Sequence, residues 1–503
     1  MLPESQALGF ATKRVGQRML PDPRRVIAKP YLPGEEIIQP GVSRAALLLK
    51  RIMAIPEHRL PVMLEEILTN FHARHRDFRQ ILQRHFAMVA DRIESNTVVS
   101  EERKLLIGAY FTNEYSLESA ALFNPSVVLS PDQTNLGPTE RRLILSLRAV
   151  GEGHVSSIEF RTGIIDTAGN LRFAAPSKHA LLGTLTLPAT YDKAAFMKKL
   201  HELGVWNDIA KAVILPLPAA FSLSELNASL TAMEKDGPPR ALWHETVRSI
   251  HVLATAVYVT TFPPESDLSE RVLFPAGPSE TRGMEDARFV RFCDGDDVVY
   301  YATYTAYDGF QIVPQLIETR DFLTFNIKIL SGSAATNKGM ALFPRKIGGR
   351  YAILSRQDRE NLFIAFSDDV QVWHDAIELY QPSEYWELLH IGNCGSPLET
   401  EAGWLVIMHG VGPVRRYALG AMLLDLNDPS KVLGVLRDPM LMPDETEREG
   451  YVPNVLYSCG ALINGDQLLL PYGFSDSGVA FALIPLPELL RKILDNPRQA
   501  RPS

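Results

Sequence analysis

Two adjacent carboxyls, Glu285 and Asp286, precede Arg288 and the apolar pair Phe289 and Val290. A carboxyl held among other carboxylates and apolar walls has its pKa raised, which suits it to donate a proton near neutral pH. Arg288 opposes that effect, because residues two apart on an extended strand share a face. Other polar side chains recur at the ends of apolar runs: Tyr307 and Asp308, Lys338 after Asn337, Arg356 and Asp358, Glu399, His409 and Asp476. Cleaving a sugar bond with inversion takes one carboxyl to protonate the leaving oxygen and a second group to activate the nucleophile on the opposite face. The set supplies both, provided that the fold brings its scattered members together.

The elements that must do so read as short strands joined by glycine turns from about residue 123 onward. Leu143–Arg148 leads into Val155–Arg161, and Arg288–Phe292 turns through Asp294 to Asp297 into Val298–Tyr304. Met340–Lys346 turns at Gly348 and Gly349 into Arg350–Ser355. Pro397–Thr400 turns near Gly403 into Trp404–Met408, and Cys459–Ile463 turns at Asn464 and Gly465 into Gln467–Leu470. Glycine supplies the positive φ of tight hairpins, and the later turns recur about every 50 to 60 residues, a period of radially repeated small sheets. Five such units predict a mainly β chain, a five-bladed β-propeller whose equivalent strand ends meet at one mouth of a central channel. An extended, proline-rich arm is expected over 1–42 and a helical extension over 43–122, where Leu64, Ile67, Leu68 and Phe71 recur at helical spacing. Ser100 before Glu101 and Glu102 reads as a helix start, as do Ser222 and Ser224 in a helical insertion about 190–250, between the first two blades. The propeller is expected to span 123–490, and 491–503 to form a tail.

The run Arg282-Gly283-Met284-Glu285-Asp286-Ala287-Arg288 resembles the acid-bearing motif of glycoside hydrolase family 130, the mannoside phosphorylases and β-mannosidases. Further stretches are similar to that family in order: Asn124-Pro125, Leu147-Arg148, Asn337-Lys338 leading to Leu342-Phe343-Pro344, and Ser355-Arg356. Pro397 to Thr400 before Gly403-Trp404, His409-Gly410, Val452 to Val455 and Ser475-Asp476 continue the series. The resemblance covers roughly residues 115–490 without the insertion, and it implies a five-bladed propeller. It implies that Asp286 is the general acid, relaying its proton through a hydroxyl of the bound mannose. Asn124, Arg148 and Asp476 would hold the sugar at the bond that breaks, beside Glu285, Arg288, Tyr307 and Asp308. Lys338, Arg356, Glu399 and His409 match the phosphate-binding positions of the phosphorylases, with Asp358 on the same side.

Glu399 departs from the pattern, because those phosphorylases carry lysine there; Ala287 departs too, standing where many relatives have proline. A carboxylate in an anion pocket repels phosphate and could instead deprotonate water. The expectation is therefore an inverting β-mannosidase acting on manno-oligosaccharides, with Asp286 as acid and Glu399 as base. The alternative is a β-mannoside phosphorylase that uses inorganic phosphate as co-substrate and releases mannose 1-phosphate. A non-catalytic propeller that binds glycans or proteins is the reading from another class, since this fold serves both ends.

Bulk composition is that of an ordinary globular protein. The 503 residues are 46% hydrophobic and 22% charged, with a net charge of −8. No broad basic field favours nucleic acid or an anionic membrane. Cys293, Cys394 and Cys459 show no metal-type spacing and read as thiols of a reducing compartment. No apolar run reaches the roughly 20 residues of a membrane span, and residues 1–10 lack a signal-peptide pattern. A cytoplasmic protein without metal or cofactor is expected, its helical regions packing on the propeller or forming an oligomer surface.

Overall fold

The computed structural model describes residues 12–33, 37–39, 42–94, 97–235, 237 and 240–496, and these form a mainly β chain. Five antiparallel groups follow one another. The first is built on Ala121–Leu129, Glu140–Val150 and Ser156–Asp166, edged by Leu171–Phe173 and Arg271–Leu273. The second runs Gly283–Asp294, Asp297–Tyr307, Ile312–Thr319 and Thr324–Ile329, then Tyr258–Thr261. A single parallel pairing, Gly283 with Ser156, joins these two into one sheet. The third holds Ala341–Leu342, Tyr351–Ser355, Leu362–Ser367 and Ile377–Tyr380. In the fourth, His390–Asn393 and Leu398–Thr400 both pair Gly403–Val411, followed by Tyr417–Leu424 and Val432–Val435. In the fifth, Leu456–Tyr457 and Leu462–Asn464 pair Gln467–Phe474, followed by Gly478–Pro485. Each of the five expected hairpins lies within one of these groups, and Gly295 and Gly465 take the positive φ their turns require.

Apolar clusters fill the spaces between the groups. Phe160 and Phe289 share one cluster from the first and second groups, and Phe292 and Ile353 another from the second and third. Leu354 packs with Trp404, Leu423 with Leu470, and Leu145 with Phe481, which brings the fifth group against the first. A sheet covered on both faces reads as an uninterrupted apolar run, which is why Gly403–Val411 is buried throughout.

The arm is partly strand. Lys13–Met19 pairs with Gly478–Pro485 as the outer strand of the fifth group, and Val26–Pro30 pairs with Thr112–Ser116. Residues 1–11, 34–36 and 40–41 of the expected arm lie outside the described residues, as do 497–503 of the expected tail. Helices Arg44–Met53, Leu60–Phe71, Phe78–Ala87 and Glu101–Tyr110 bury Leu49, Leu64, Leu82 and Leu106 against one another. Ser100 caps the last of them, its Oγ accepting from the Arg103 N–H at 3.3 Å. Helical structure stops there, short of the expected 122, because Thr112–Ser116 and Ala121–Leu129 find strand partners. At the other end, 491–494 belong to a helix, Leu486–Leu494, instead of a tail.

The insertion comprises Lys193–Glu202, Asp208–Ile214, Leu223–Lys235 and Arg240–Thr255, with a core of its own that includes Phe196, Phe221, Trp243 and Ile250. Ser222 opens the third of these helices with a capping box: its Oγ accepts from the Glu225 N–H at 3.2 Å and Glu225 accepts from the Ser222 N–H at 2.7 Å. Ser224 lies inside the helix. No described helix is long and apolar enough to cross a membrane.

Candidate active site

Two bulges make the centre of the site. The register of Gly283–Asp294 shifts between Glu285, opposite Thr305, and Arg288, opposite Thr303, and Asp286 sits in the shift with φ of 55°. The first strand of the first group shifts in the same way between Phe123 and Ser126, with Asn124 at φ 48°. A bulge re-aims a side chain out of the pleat, and non-glycine residues in the left-handed region cluster where function holds them. Here the two re-aimed side chains meet, Asn124 Nδ2 donating to Asp286 Oδ1 at 2.7 Å. Asn337 and Asp476 take positive φ at the corresponding ends of the third and fifth groups.

From this contact a charged chain extends. Arg148 donates to Asp286 Oδ1 at 3.2 Å and to Glu285 Oε1 at 2.7 Å, and Lys338 Nζ donates to Glu285 Oε2 at 2.8 Å. Burial alone would raise the Asp286 pKa, but Arg148, Arg288 and Lys338 together outweigh it and hold the carboxyl below its ordinary value. The elevated pKa expected for Asp286 is therefore corrected, because a guanidinium from the neighbouring group touches the carboxylate. Arg288 itself donates to the Asp286 backbone carbonyl at 3.0 Å, since the bulge removes the shared face assumed for an unbroken strand.

Asp476 behaves oppositely. Burial, with added repulsion from Asp286 and Glu285, lifts it to about 6 against the pull of Arg148 and Arg415. An unfolded carboxyl titrates near 3.8. The native state thus favours the proton, so the cost of the charge is absent below about pH 3.8 and full above about pH 6. Asp476→Asn is expected to stabilise the protein at pH 8 by up to about 3 kcal/mol, with no gain at pH 4. Thermal unfolding at the two pH values checks this; an equal shift at both would contradict it.

The other side of the site is cationic. Arg288, 1% exposed, donates to the Tyr457 hydroxyl at 2.7 Å. Arg356 reaches His409 Nε2 at 3.4 Å and donates to the Arg359 carbonyl at 2.8 Å. Neither guanidinium is within salt-bridge distance of a carboxylate among the described residues, and the buried Nε atoms of both have no hydrogen-bond partner there. The His409 ring lies 4.7 Å from that of Tyr457 and stacks on Tyr417 at 6.0 Å. Burial first, then Arg356, push its pKa well below the ordinary value, so the positive charge on this side comes from the two guanidiniums. Tyr457 had no signal in the sequence beyond lying two residues past the Val452 to Val455 stretch.

Other expected residues stand elsewhere. Glu399 pairs with Trp404 beside the turn of its hairpin, whereas His409 pairs with Gly392 toward the far end of the same strand. Five residues of strand separate Trp404 from His409, about 17 Å. Glu399 instead binds Arg345 through both oxygens, at 2.7 and 2.8 Å, and is 43% exposed at the side chain. That pair lines a separate cavity with Val127, Phe289, Pro344 and Ala461. Glu399 is therefore neither a base for Asp286 nor part of the cationic pocket. Glu399→Gln is expected to leave turnover unchanged and to cost no more than about 1 kcal/mol in denaturant unfolding, as for an exposed pair; a large loss of turnover would contradict the placement.

Asp358 spends both oxygens on its own loop, accepting from the Glu360 and Asn361 N–H groups at 2.9 and 2.8 Å and from the Asn361 amide at 2.6 Å. Asp308 likewise caps its turn, accepting from the Phe310 and Gln311 N–H groups, and the Tyr307 hydroxyl donates to the Gly309 carbonyl at 3.0 Å. Tyr307 and Asp308 line an open pocket that continues outward from Glu285. The three cysteines are free thiols, Cys394 and Cys459 buried.

Comparison with known proteins adds an independent line. A family model described as beta-1,4-mannooligosaccharide phosphorylase, glycoside hydrolase family 130, matches residues 265–495. A 1,2-beta-oligomannan phosphorylase of Thermoanaerobacter sp. is 35% identical over 231 residues, 44% of this chain and 75% of that protein. A beta-1,2-mannobiose phosphorylase of Listeria innocua is 34% identical over 231 residues, 44% of this chain and 63% of that protein. The solved structure of a Listeria innocua beta-1,2-mannobiose phosphorylase with beta-1,2-mannobiose superimposes with a TM-score of 0.44 at 22% identity, covering 75% of this chain and 93% of that one. With one such relative covered over three quarters of its length, the chain belongs to glycoside hydrolase family 130.

Proposed function

We propose that the chain is a β-mannoside phosphorylase carried on a five-bladed β-propeller. The observation that carries the reading is the pair of guanidiniums, buried Arg288 and half-buried Arg356, that meet no carboxylate among the described residues and leave N–H donors unused beside Tyr457 and His409. Arginine's fixed fork suits a phosphate oxygen pair, and a dry site strengthens the attraction. Hydrolysis loses its support, because the carboxylate assigned to activate water lies at the other end of its hairpin. The propeller reading is supported by five successive antiparallel groups whose apolar clusters link each to the next and the fifth to the first.

In this reading Asn124, Arg148 and Asp476 orient the mannose, and a phosphate oxygen forms the new bond to its anomeric carbon as the glycosidic bond breaks. The leaving oxygen takes a proton from Asp286, directly or through a hydroxyl of the sugar, and the configuration inverts from β to α. Mannose 1-phosphate and a shortened oligosaccharide leave. Asp286 is ionised in the free protein, held so by three cations. An incoming phosphate offsets those cations and a bound sugar excludes water, so both co-substrates raise the acid toward its working state. Relatives at 34 and 35% identity are named for β-1,2-linked substrates, which puts β-1,2-linked manno-oligosaccharides first and β-1,4-linked ones second. Titration of inorganic phosphate into the protein by calorimetry tests the reading. Saturable binding is expected, and its absence both with and without mannobiose would contradict it.

A further inference from the structure

The cavity that holds the Arg345 and Glu399 pair lies toward the opposite end of the strand groups from Asp286. Every group contributes to its lining: Leu129, Val290, Pro344, Leu398 and Ile463 follow the order of the five. Asn124 and Leu129 share one strand, and Asp286 and Arg291 another, each pair separated by roughly 15 Å of chain. A packed layer divides the two ends. The Ser126 hydroxyl accepts from the Phe289 N–H at 3.0 Å, and a Cβ on Gly460 would stand 2.7 Å from Ser126 Oγ. The cavity is thus a space of its own, about 320 Å³ in volume. Small-molecule sites begin at about that size, with a range of about 300 to 1,000 Å³.

Its walls are largely apolar, and its few polar groups are unevenly matched. Arg345 and Glu399 hold each other through two hydrogen bonds and cancel in charge. Arg291, which is exposed, donates to Cys293 Sγ at 3.0 Å and forms no salt bridge among the described residues. The lining therefore keeps one positive charge without a counter-ion. Ser396 Oγ, on the same lining, is buried and has no hydrogen-bond partner among the described residues. Buried hydroxyls are ordinarily paired, so this one is free to meet a ligand oxygen.

We propose that this cavity binds a small aliphatic monocarboxylate. Its chain would lie among Leu129, Val290, Leu398 and Ile463, and Arg291 would take the carboxylate, with Ser396 Oγ as a second donor on the lining. Burying the chain supplies affinity in proportion to its apolar area. The unpaired guanidinium then selects an anion over a neutral or cationic chain of equal length. Arg345 does not compete for that role, because Glu399 already fills its fork. The site stands apart from the chemistry at Asp286, whether phosphate or water breaks the bond.

Octanoate is the probe, with octan-1-ol and octylamine as neutral and cationic chains of the same length. Calorimetry should show saturable octanoate binding, equimolar with the chain, several-fold tighter than octan-1-ol and tighter still than octylamine. Arg291→Ala, a change at an exposed side chain, should weaken octanoate about tenfold and leave octan-1-ol unaltered. Cys293 lines the cavity and is the thiol of the three that is not buried, so its alkylation by iodoacetamide reports on occupancy. Octanoate should slow that alkylation in the wild type over the same concentrations that give the heat of binding. Four results would each overturn the site: no saturable octanoate binding, equal affinity for octylamine, an affinity unchanged in Arg291→Ala, or binding that leaves Cys293 unprotected. None of these measurements uses turnover, so their outcome is independent of the phosphorylase proposal.

Discussion

Asp286→Asn is expected to slow phosphorolysis of an unactivated mannoside by at least about a hundredfold, the usual contribution of a positioned general acid. The amide is isosteric, and its oxygen can still accept from Asn124 at the 2.7 Å contact and from Arg148 at 3.2 Å. The fold and the orientation of Arg148 should therefore survive, which separates lost chemistry from lost structure. Sugar binding should change little, because the groups around the bound mannose are untouched. A substrate whose leaving group needs no proton, such as a mannosyl fluoride, should lose far less than mannobiose does. Initial rates on both substrates, with circular dichroism as the folding control, check the prediction. A folded variant with near-normal turnover of mannobiose would remove Asp286 from the acid role.

The second large effect belongs to Arg356. Its guanidinium is charged, half-buried and free of carboxylate contact among the described residues, so phosphate gains a charge-assisted hydrogen bond there without displacing a native ion pair. Removing such a bond costs about 1.5 to 3 kcal/mol, roughly ten- to 150-fold in affinity. Arg356→Ala is expected to raise the phosphate KM by that factor and to leave the mannoside KM unchanged, since the sugar groups lie around Asn124 and Arg148. Arg356→Lys should recover part of the loss, because it restores the charge without the planar fork. Phosphate titrations of wild type and both variants decide the matter. An unaltered phosphate KM in Arg356→Ala would place the anion elsewhere.

Much of the sheet architecture was legible because a tight turn has local chemistry. Asp294 to Asp297 and Asn464-Gly465 mark hairpins that the structure contains, and the buried runs between them have the length of strands. The acid contact was legible only in part. The family resemblance placed Asn124, Arg148 and Asp286 in one set, but the bulges that turn Asn124 and Asp286 toward each other depend on cross-strand register, which periodicity does not encode. The same blindness misjudged the Asp286 pKa, since the guanidinium that lowers it comes from the adjacent group of strands.

Glu399 is the instructive error. Its position one residue before Thr400, close to the turn at Gly403, already put it at the turn end of the hairpin, and His409 lies toward the other end. Asp308 and Asp358 followed strands as active-site carboxylates do, yet each accepts from N–H groups two and three residues onward, the local turn bonding that short acidic side chains favour. Tyr457, which joins Arg288 to the His409 side, carried no periodic or spacing signal at all.

The central claim is that phosphate, not water, breaks the mannosidic bond. Its most direct measurement is the product released from β-1,2-mannobiose, followed by phosphorus and proton NMR with and without inorganic phosphate. The account predicts cleavage only when phosphate is present, with α-mannose 1-phosphate and mannose formed in equal amounts. Release of two free mannoses per bond at a rate indifferent to phosphate would contradict it.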